Sequence, residues 1–420
     1  MSEAGAVRST RSVVAVLGTT QTIAWASSYY LPAVLADPIA RDIGVSPGLV
    51  FAAFSLSLLV SGVLGPLGGR MIDRRGGRDV LCASNLILAA GLLLLSMATG
   101  PVLLFAGWLL IGVGIAAGLY DAAFATLVGI FRERSRSAIT GITLIAGFAS
   151  TIGWPLTALI EDAHGWRMAC VCWALVHLFV CLPANRWLLP PPSPAVPPGS
   201  HPGSHPGSPL ESPPAPADDA AYGVAAPDSV AAAARVQRQR RNTVLLLGFV
   251  FAASAFVAGA MATQMIRLLE AMGSTPAAAI FAGMLIGPAQ VLARVVELAL
   301  ARHVTPLTSA RVALSLHPAG ALALVAVGAP AAVPFALLHG ATNGLVTIAR
   351  GTLPLWLFGP DGYGALIGRI GGFARIAQAI APFAFGLAVD ALGGAAVLIT
   401  GGLMTAAVLA LLLIRRSSAP

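Results

Sequence analysis

Residues 69–78 read GRMIDRRGGR, a charged stretch that separates two long apolar runs at 48–69 and 80–99. An α-helix needs about 20 apolar residues to cross a ~30 Å hydrocarbon core. Each run is therefore long enough to be a membrane-spanning helix. The short charged stretch between them fits a tight loop outside the bilayer. The sequence predicts a helical hairpin with its loop at Gly69–Arg78.

The same pattern of apolar runs continues along the whole chain. The first set of runs falls at 13–36, 48–69, 80–99, 101–130, 138–160 and 168–189. The second set falls at 243–267, 277–300, 311–329, 331–352, 364–388 and 394–414. Each run has the length of a membrane-spanning helix. We expect an all-α integral membrane protein of twelve transmembrane helices in two bundles of six.

A segment rich in proline and glycine separates the two sets. It opens with PPPSPAVPPGS, contains HPGSHPGS and ends in the basic run RVQRQRR. A segment of this composition cannot bury a core and is expected to stay disordered and extended. The predicted organisation begins with a tail at 1–12 and a first bundle at 13–189. A disordered linker at 190–241 then leads to a second bundle at 242–414 and a tail at 415–420.

The composition excludes several classes of protein. Only 10% of the residues are charged, 57% are hydrophobic, and the mean hydropathy is +0.84, which does not fit a soluble domain of 420 residues. The net charge of +8 comes from arginines scattered between apolar runs, so we expect no nucleic-acid partner. The four cysteines lie inside apolar runs without a CxxC or histidine-spaced set, and we expect neither a metal nor a cofactor.

The arginines indicate the orientation of the chain in the bilayer. With the amino terminus inside, three arginines fall outside: Arg41, Arg167 and Arg267. The cytoplasmic segments would hold Arg8, Arg11, Arg70, Arg74, Arg75, Arg78, Arg132, Arg134, Arg136, Arg235, Arg238, Arg240, Arg241, Arg302, Arg311, Arg415 and Arg416. This asymmetry follows the positive-inside rule and requires an even number of helices. We expect a multi-pass inner-membrane protein with both termini and the linker in the cytoplasm.

The loop at 69–78 resembles the signature G-x-x-x-D-R-x-G-R-R of the major facilitator superfamily, in its bacterial twelve-helix type. Gly69, Asp73, Arg74, Gly76 and Arg78 match it, while a glycine at position 77 replaces one basic residue. The resemblance implies two bundles related by a pseudo-twofold axis and transport by alternating access. It also implies that these five matching residues form a conformational latch, in which Asp73 meets the start of helix 11 near Gly362–Gly364.

Two departures from the family pattern concern helices 4 and 5. The family's helix 4 motif often carries an arginine four residues before a G-x-G, where this chain has Trp108. The helix 5 antiporter motif ends in G-P-x-x-G-G, whereas Gly153-Trp154-Pro155 keeps the proline and loses the glycines. Both changes weaken an assignment to the drug–proton antiporters.

Ionisable groups inside spanning helices cost several kcal/mol unless they are paired or hydrated, so each is a functional candidate. Asp121 lies about 16 Å and Arg375 about 20 Å from the same membrane face, at 1.5 Å rise per residue. A pair across a central cavity is therefore allowed. Arg350 either reaches the interface or contacts substrate. Arg294 and Glu297 have the i,i+3 spacing of a local ion pair.

Helix 1 is unusually polar and aromatic for a spanning helix. Its side chains either line a binding cavity or, for the two tyrosines near the helix end, form an interfacial aromatic belt. Gln264 and Asn343 are similar polar insertions, with helix–helix hydrogen bonding as the alternative. The candidate substrate-binding residues are Arg375, Arg350, Tyr29, Tyr30, Gln21, Trp25 and Asn343.

Two functions remain open at this point. The first is proton-coupled export of a small organic solute, with Asp121 as the proton carrier. The second is uptake or exchange of a small organic anion whose carboxylate binds the fork of Arg375 and Arg350. No GxxxxGK[ST] stretch for ATP hydrolysis is present, and the scattered histidines do not form an enzyme site. We expect a monomeric transporter that meets only its solute, protons and the lipid bilayer.

Overall fold

The computed structural model describes residues 10–131, 135–190, 227–300, 303–358 and 363–414. The amino-terminal half contains α1 Thr10–Ser27, α2 Pro32–Ile43, α3 Pro47–Arg75, α4 Gly77–Ser96, α5 Pro101–Gly118, α6 Tyr120–Phe131, α7 Ser135–Ala146, α8 Ala149–Val176 and α9 Leu182–Leu188. The carboxyl-terminal half contains α10 Pro227–Ala271, α11 Pro276–Met284, α12 Ile286–Leu300, α13 Pro306–Val327, α14 Ala332–Phe358, α15 Tyr363–Leu392 and α16 Val397–Leu413. The prediction of an all-helical membrane protein is confirmed.

Nine helical stretches within the described ranges are long and apolar enough to span a membrane. Two of them contain a glycine with a positive φ angle, Gly165 with φ +80° and Gly393 with φ +55°. The stretch formed by α1 and α2 is not among the nine. Twelve spanning helices therefore stays a prediction, although the order of the helices follows the order of the apolar runs.

Several predicted runs are broken into two helices. The run at 13–36 divides into α1 and α2 because the hydroxyl of Ser27 bonds back to Ile23 O and Pro32 starts a new helix. The run at 101–130 divides at Leu119, whose backbone is extended with φ −87° and ψ −163°. The run at 277–300 divides between α11 and α12. Sequence patterns show apolar length but not these local breaks.

Each half packs around its own apolar core. The amino-terminal core is centred on the large buried side chains Phe51, Phe54 and Trp108. The carboxyl-terminal core is centred on Phe335 and Phe385. The halves meet where α3 packs on α15 and where α8 packs on α11 and α12. This arrangement leaves space between the halves for a central site.

The predicted domain boundaries stay predictions in part. Residues 1–9 and 415–420 of the two tails lie outside the described residues, and Thr10–Ser12 belong to α1. Most of the segment at 190–241 also lies outside them. Its last fifteen residues do not: Pro227–Arg241 are helical and form the beginning of α10. The prediction of disorder is therefore wrong for that part, whose alanine- and arginine-rich sequence favours a helix.

Candidate substrate cavity

A cavity of about 340 Å³ lies between the two halves. Its walls come from α1, α3, α5 and α6 on one side and from α10, α14 and α15 on the other. Glycines and small residues of α3, among them Ser61, Gly62 and Gly65, leave the space open on the amino-terminal side. Binding sites at the interface of two packed units are common because side chains of both units can reach the ligand.

Among the described residues, three charged side chains line this cavity: Asp121, Arg350 and Arg375. Asp121 and Arg375 are exposed to the cavity space, while Arg350 is half-buried and its Nε has no hydrogen-bond partner. Within the described ranges, no ion pair joins Asp121 to either arginine. The described lining thus holds two positive charges against one negative charge.

The break at Leu119 determines the position of Asp121. Because α5 stops at Gly118 and α6 starts at Tyr120, Asp121 lies in the first turn of a helix, where a carboxylate is stabilised by the helix dipole. Gln21 supports the break, since its Nε2 donates a hydrogen bond of 2.6 Å to Gly118 O. Gln21 was predicted to line the cavity, but it is buried and is not among the lining residues.

An aromatic wall stands beside the charges. The ring of Trp25 lies 5.0 Å from that of Tyr29 and 4.9 Å from that of Tyr120, and all three line the cavity. Tyr29 is only 4% exposed, so it does not belong to an interfacial belt. Its hydroxyl oxygen accepts a hydrogen bond of 2.8 Å from Gln378 Nε2 of α15. This bond joins the two halves at the cavity.

Tyr30 and Asn343 are not among the residues that line the cavity. The Tyr30 ring packs against Trp154 at 5.7 Å between centroids, and its carbonyl accepts a hydrogen bond of 3.1 Å from Trp154 Nε1. Asn343 lies about two turns before Arg350 on α14 and is half-buried. Of the predicted binding residues, the structure brings Trp25, Tyr29, Arg350 and Arg375 into one cavity, together with Asp121.

Arg267 ties the halves together at one end of the molecule. Its Nε lies 3.1 Å from Asp37 Oδ2 of α2, and its Nη2 lies 2.7 Å from Asp390 Oδ1 of α15. Its Nη1 donates to Gln264 Oε1 at 3.1 Å, and its guanidinium lies 5.6 Å from the Phe51 ring centroid. One arginine therefore bridges both halves and closes this end.

The loop after α3 lies at the opposite end. Gly76 has φ +82°, which glycine adopts without strain, and its N–H bonds to Ile72 O at 2.8 Å. A Cβ atom at Gly77 would overlap the side chain of Thr126 on α6, so a glycine is required at this position. Arg78 pairs with Asp79 at 3.4 Å.

The predicted latch itself is not described. The side chain of Asp73 and those at the start of α15 lie outside the described residues. Gly69 has open space around it, and Arg74 is exposed. The latch formed by these residues with Gly76 and Arg78 stays a prediction.

The sequence model of the Major Facilitator Superfamily matches residues 17–350. The chain belongs to the major facilitator superfamily. Its fold is similar to that of the nucleoside transporter NupG, with a TM-score of 0.71 over 96% of this chain and 99% of the other at 12% identity. It is also similar to a bacterial homologue of the human lysosomal transporter Spinster, with a TM-score of 0.62. That match covers 96% of this chain and 94% of the other, at 14% sequence identity. The predicted family is confirmed.

Curated relatives match shorter parts of this superfamily member. The multidrug resistance protein MdtH of Cronobacter sakazakii is 28% identical over 150 residues, which is 36% of this chain and 37% of the relative. Monocarboxylate transporter 3 of Rattus norvegicus is 29% identical over 157 residues, 36% of this chain and 31% of the relative. The matched part spans about a third of each relative. Family and relatives indicate a transporter and not an enzyme.

The two departures from superfamily motifs have structural counterparts. Trp108 is fully buried and packs edge-on against Phe54 with 5.0 Å between ring centroids, so an aromatic pair stands where the family often has an arginine. Trp154 packs against Gly283 of α11, where a Cβ atom would overlap its indole ring. Both tryptophans fill space inside the helix packing.

Arg294 connects the halves at a second seam. Its Nη1 donates to Thr143 O of α7 at 2.9 Å, across the interface between the halves. The predicted pair with Glu297 is wrong, because Glu297 Oε1 instead accepts a hydrogen bond of 2.8 Å from Ser309. Thr151 Oγ1 adds a further link, donating to Met284 O at 2.7 Å.

Sequence reasoning missed the roles of Arg267, Asp37, Asp390 and Gln378. Arg267 was counted only as an outside arginine, although charges at the ends of three apolar runs hinted at a shared cluster. Gln378 follows Arg375 by three residues, a spacing that places both on one helix face. The position of the polar Gln378 one turn after the intramembrane Arg375 was the sequence signal that could have indicated its place at the cavity.

Proposed function

We propose that this protein moves a small organic anion across the inner membrane by alternating access, in exchange for or together with protons. The observation that carries this proposal is that Asp121, Arg350 and Arg375 line one cavity between the two halves. For the direction of transport, the first candidate is proton-coupled export, in keeping with the similarity to a multidrug resistance protein. Uptake or exchange is the second, in keeping with the similarity to a monocarboxylate transporter.

The charge of the cavity supports an anionic substrate. Two arginines face one carboxylate among the described lining residues, so a bound carboxylate would balance the excess positive charge. Arg350 Nε is buried without a hydrogen-bond partner, a state that costs free energy until an acceptor arrives. Arginine suits this acceptor because its planar fork binds a carboxylate through two parallel hydrogen bonds.

The aromatic wall supports a substrate with an apolar portion. Trp25, Tyr29 and Tyr120 present rings beside the charged residues. Aromatic rings bury large areas and stack with flat groups. The preferred substrate class is therefore a monocarboxylate with an aromatic or aliphatic body that fits a cavity of about 340 Å³.

Asp121 is the group we assign to proton coupling. It is the carboxylate of the described cavity lining, and it is accessible from the cavity space. An anionic substrate binding near two arginines competes with the Asp121 carboxylate for their positive charge. Protonation of Asp121 then favours substrate binding, which links the two events by their shared charge balance.

We propose that the end carrying the Gly76 loop is cytoplasmic, because most arginines lie at that end. The Arg267 bridge then closes the periplasmic end. Both termini and the segment before α10 are cytoplasmic in this arrangement. This arrangement supports an inward-facing state, in which case the reverse state requires the Arg267 bridge to break.

The test uses the purified protein in proteoliposomes with an imposed pH gradient. Labelled benzoate and other monocarboxylates are compared with their uncharged amides, such as benzamide. We expect movement of at least one acid, dependent on the gradient, and no comparable movement of its amide. Equal transport of acid and amide would contradict the anion proposal. Reversing the gradient distinguishes export from uptake.

A further inference from the structure

A second depression, a groove of about 210 Å³, lies on the outer face between α10 and α15. Its lining is entirely apolar, with five residues of α10 between 244 and 252 and with Ile370 and Phe373 of α15. Leu245 and Phe373 are 61% and 62% exposed, so the groove faces the surroundings of the protein. In a spanning helix, such a face meets lipid chains.

Two arginines lie at the mouth of this groove. Arg238 and Arg241 are exposed and precede Leu245 by seven and four residues on α10. Positions i, i+3, i+4 and i+7 share one face of a helix, so both arginines continue the stripe that lines the groove. Arg240 lies at the edge of this stripe, one turn before Val244, and its guanidinium is turned toward α14, 5.9 Å from the ring centroid of Phe358.

The length of the stripe fits one leaflet of a membrane. From Arg241 to Ala252 are eleven residues, or about 16 Å along a helix. Half of a ~30 Å hydrocarbon core has nearly the same depth. The positive charges therefore stand at the level of lipid headgroups when the groove stands at the level of the acyl chains.

We propose that this groove binds an anionic phospholipid from the bilayer, with one acyl chain in the groove and the phosphate on Arg238 and Arg241. Basic residues next to an apolar membrane face attract anionic headgroups. Ile370 forms part of both the groove and the central cavity. The bound chain thus packs against a side chain that also walls the transport site.

Two pairs of variants separate headgroup from acyl-chain recognition. The double variant Arg238→Gln/Arg241→Gln removes charge from the groove face. Its control, Arg235→Gln/Arg240→Gln, removes the same charge from positions that flank this stripe, where the Arg240 guanidinium is turned toward Phe358 of α14. Gly248→Leu fills the groove, because a Cβ atom there meets only Phe373 Cδ2 at 3.9 Å, an ordinary contact. Its control is Gly402→Leu, at an exposed glycine of α16 with open space around it.

The measurement is native mass spectrometry of the full-length protein titrated with dioleoyl phosphatidylglycerol or dioleoyl phosphatidylcholine. We expect wild type to bind phosphatidylglycerol roughly tenfold more tightly than phosphatidylcholine. The Arg238/Arg241 variant loses this preference and Gly248→Leu loses the bound lipid, while both controls behave as wild type. Equal retention of the two lipids by wild type overturns the proposal, as does equal loss in a variant and its control. This outcome is independent of whether the protein transports organic anions.

Discussion

Arg267 Nε lies 3.1 Å from Asp37 Oδ2, and the two residues belong to opposite halves of the molecule. The Arg267 side chain is 15% exposed and also binds Asp390, so the contact is held in a partly buried bridge. Partly buried charge pairs with fixed geometry contribute more than exposed ones, whose median is about 0–1 kcal/mol. This bridge stabilises the state in which its end of the molecule is closed.

The first prediction concerns Arg267→Gln. We expect the closed state to lose on the order of tenfold in population relative to the open state, because the bridge exists only when the halves meet. Spin labels at Ala163→Cys and Ala277→Cys, exposed positions in opposite halves, report the distance between them. Arg41→Gln serves as the control, since it removes a charge from α2 outside the bridge. An unchanged distance distribution for Arg267→Gln would show that the bridge does not set the equilibrium.

The second prediction concerns Asp121→Asn. Asparagine keeps the size of the side chain but cannot bind or release a proton near neutral pH. We expect exchange of labelled for unlabelled substrate across the membrane to continue, while accumulation driven by a pH gradient is lost. Asp162→Asn, at an exposed carboxylate of α8, is the matched control. Intact gradient-driven accumulation in Asp121→Asn would remove Asp121 from the coupling step.

The third prediction concerns Arg375→Gln. A hydrogen bond to a charged group contributes about 1.5–3 kcal/mol, so carboxylate binding is expected to weaken about 10- to 100-fold. Binding is measured from the quenching of tryptophan fluorescence, since Trp25 lines the cavity. Arg375→Lys retains the charge but not the planar fork and is expected to lie between wild type and Arg375→Gln. Identical affinities in all three proteins would place the carboxylate elsewhere.

The fourth prediction concerns His177, which is buried between two hydrogen bonds. Its Nε2 lies 2.7 Å from Ser27 Oγ, and its Nδ1 lies 2.8 Å from Asn85 Oδ1. His177→Ala leaves two buried polar groups without this partner, and each loss costs about 1–3 kcal/mol. We expect a lower unfolding temperature in detergent, measured by thermal unfolding. His164→Ala, at an exposed histidine of α8, is expected to leave that temperature unchanged.

The fifth prediction concerns Gly77→Arg, which restores the family signature at this position. Despite the closer match, we expect lower stability, because any side chain at position 77 overlaps Thr126 of α6. The unfolding temperature of Gly77→Arg is compared with that of Gly77→Arg/Thr126→Gly, in which space is restored. If the single variant is as stable as wild type, the packing of Gly77 on Thr126 is not tight.

The fold class and the meeting of Asp121 and Arg375 at one cavity could be predicted from the sequence because both follow from regular helix geometry. A rise of 1.5 Å per residue placed Asp121 and Arg375 at similar depths, and both line the same cavity. The break at Leu119 could not be predicted, since nothing in an apolar run marks an extended residue. Gln21 was assigned to the cavity from the polar character of helix 1, whereas its amide bonds to the Gly118 carbonyl at that break.

Contacts between distant parts of the chain also could not be predicted from the sequence. The Arg267 bridge joins residues more than 100 positions apart, and no local pattern indicates which partner an arginine will meet. The i,i+3 spacing of Arg294 and Glu297 favoured a local pair, yet Arg294 reaches Thr143 of the other half. Local spacing permits a contact, but the packing of the halves decides it.

The packing of Trp154 on Gly283 has a consequence for the way such chains are classified. The family's helix 5 pattern has glycine directly before the proline, and this chain has a large ring at that place and a glycine on the facing helix. The absence of a side chain at Gly283 makes room for the Trp154 ring at this crossing, so the two helices still approach closely. The helix 5 motif alone shows only the missing glycine, whereas the facing position Gly283 shows how the packing accommodates the tryptophan. Searches for antiporter-like helix crossings should therefore score both partners of the crossing together.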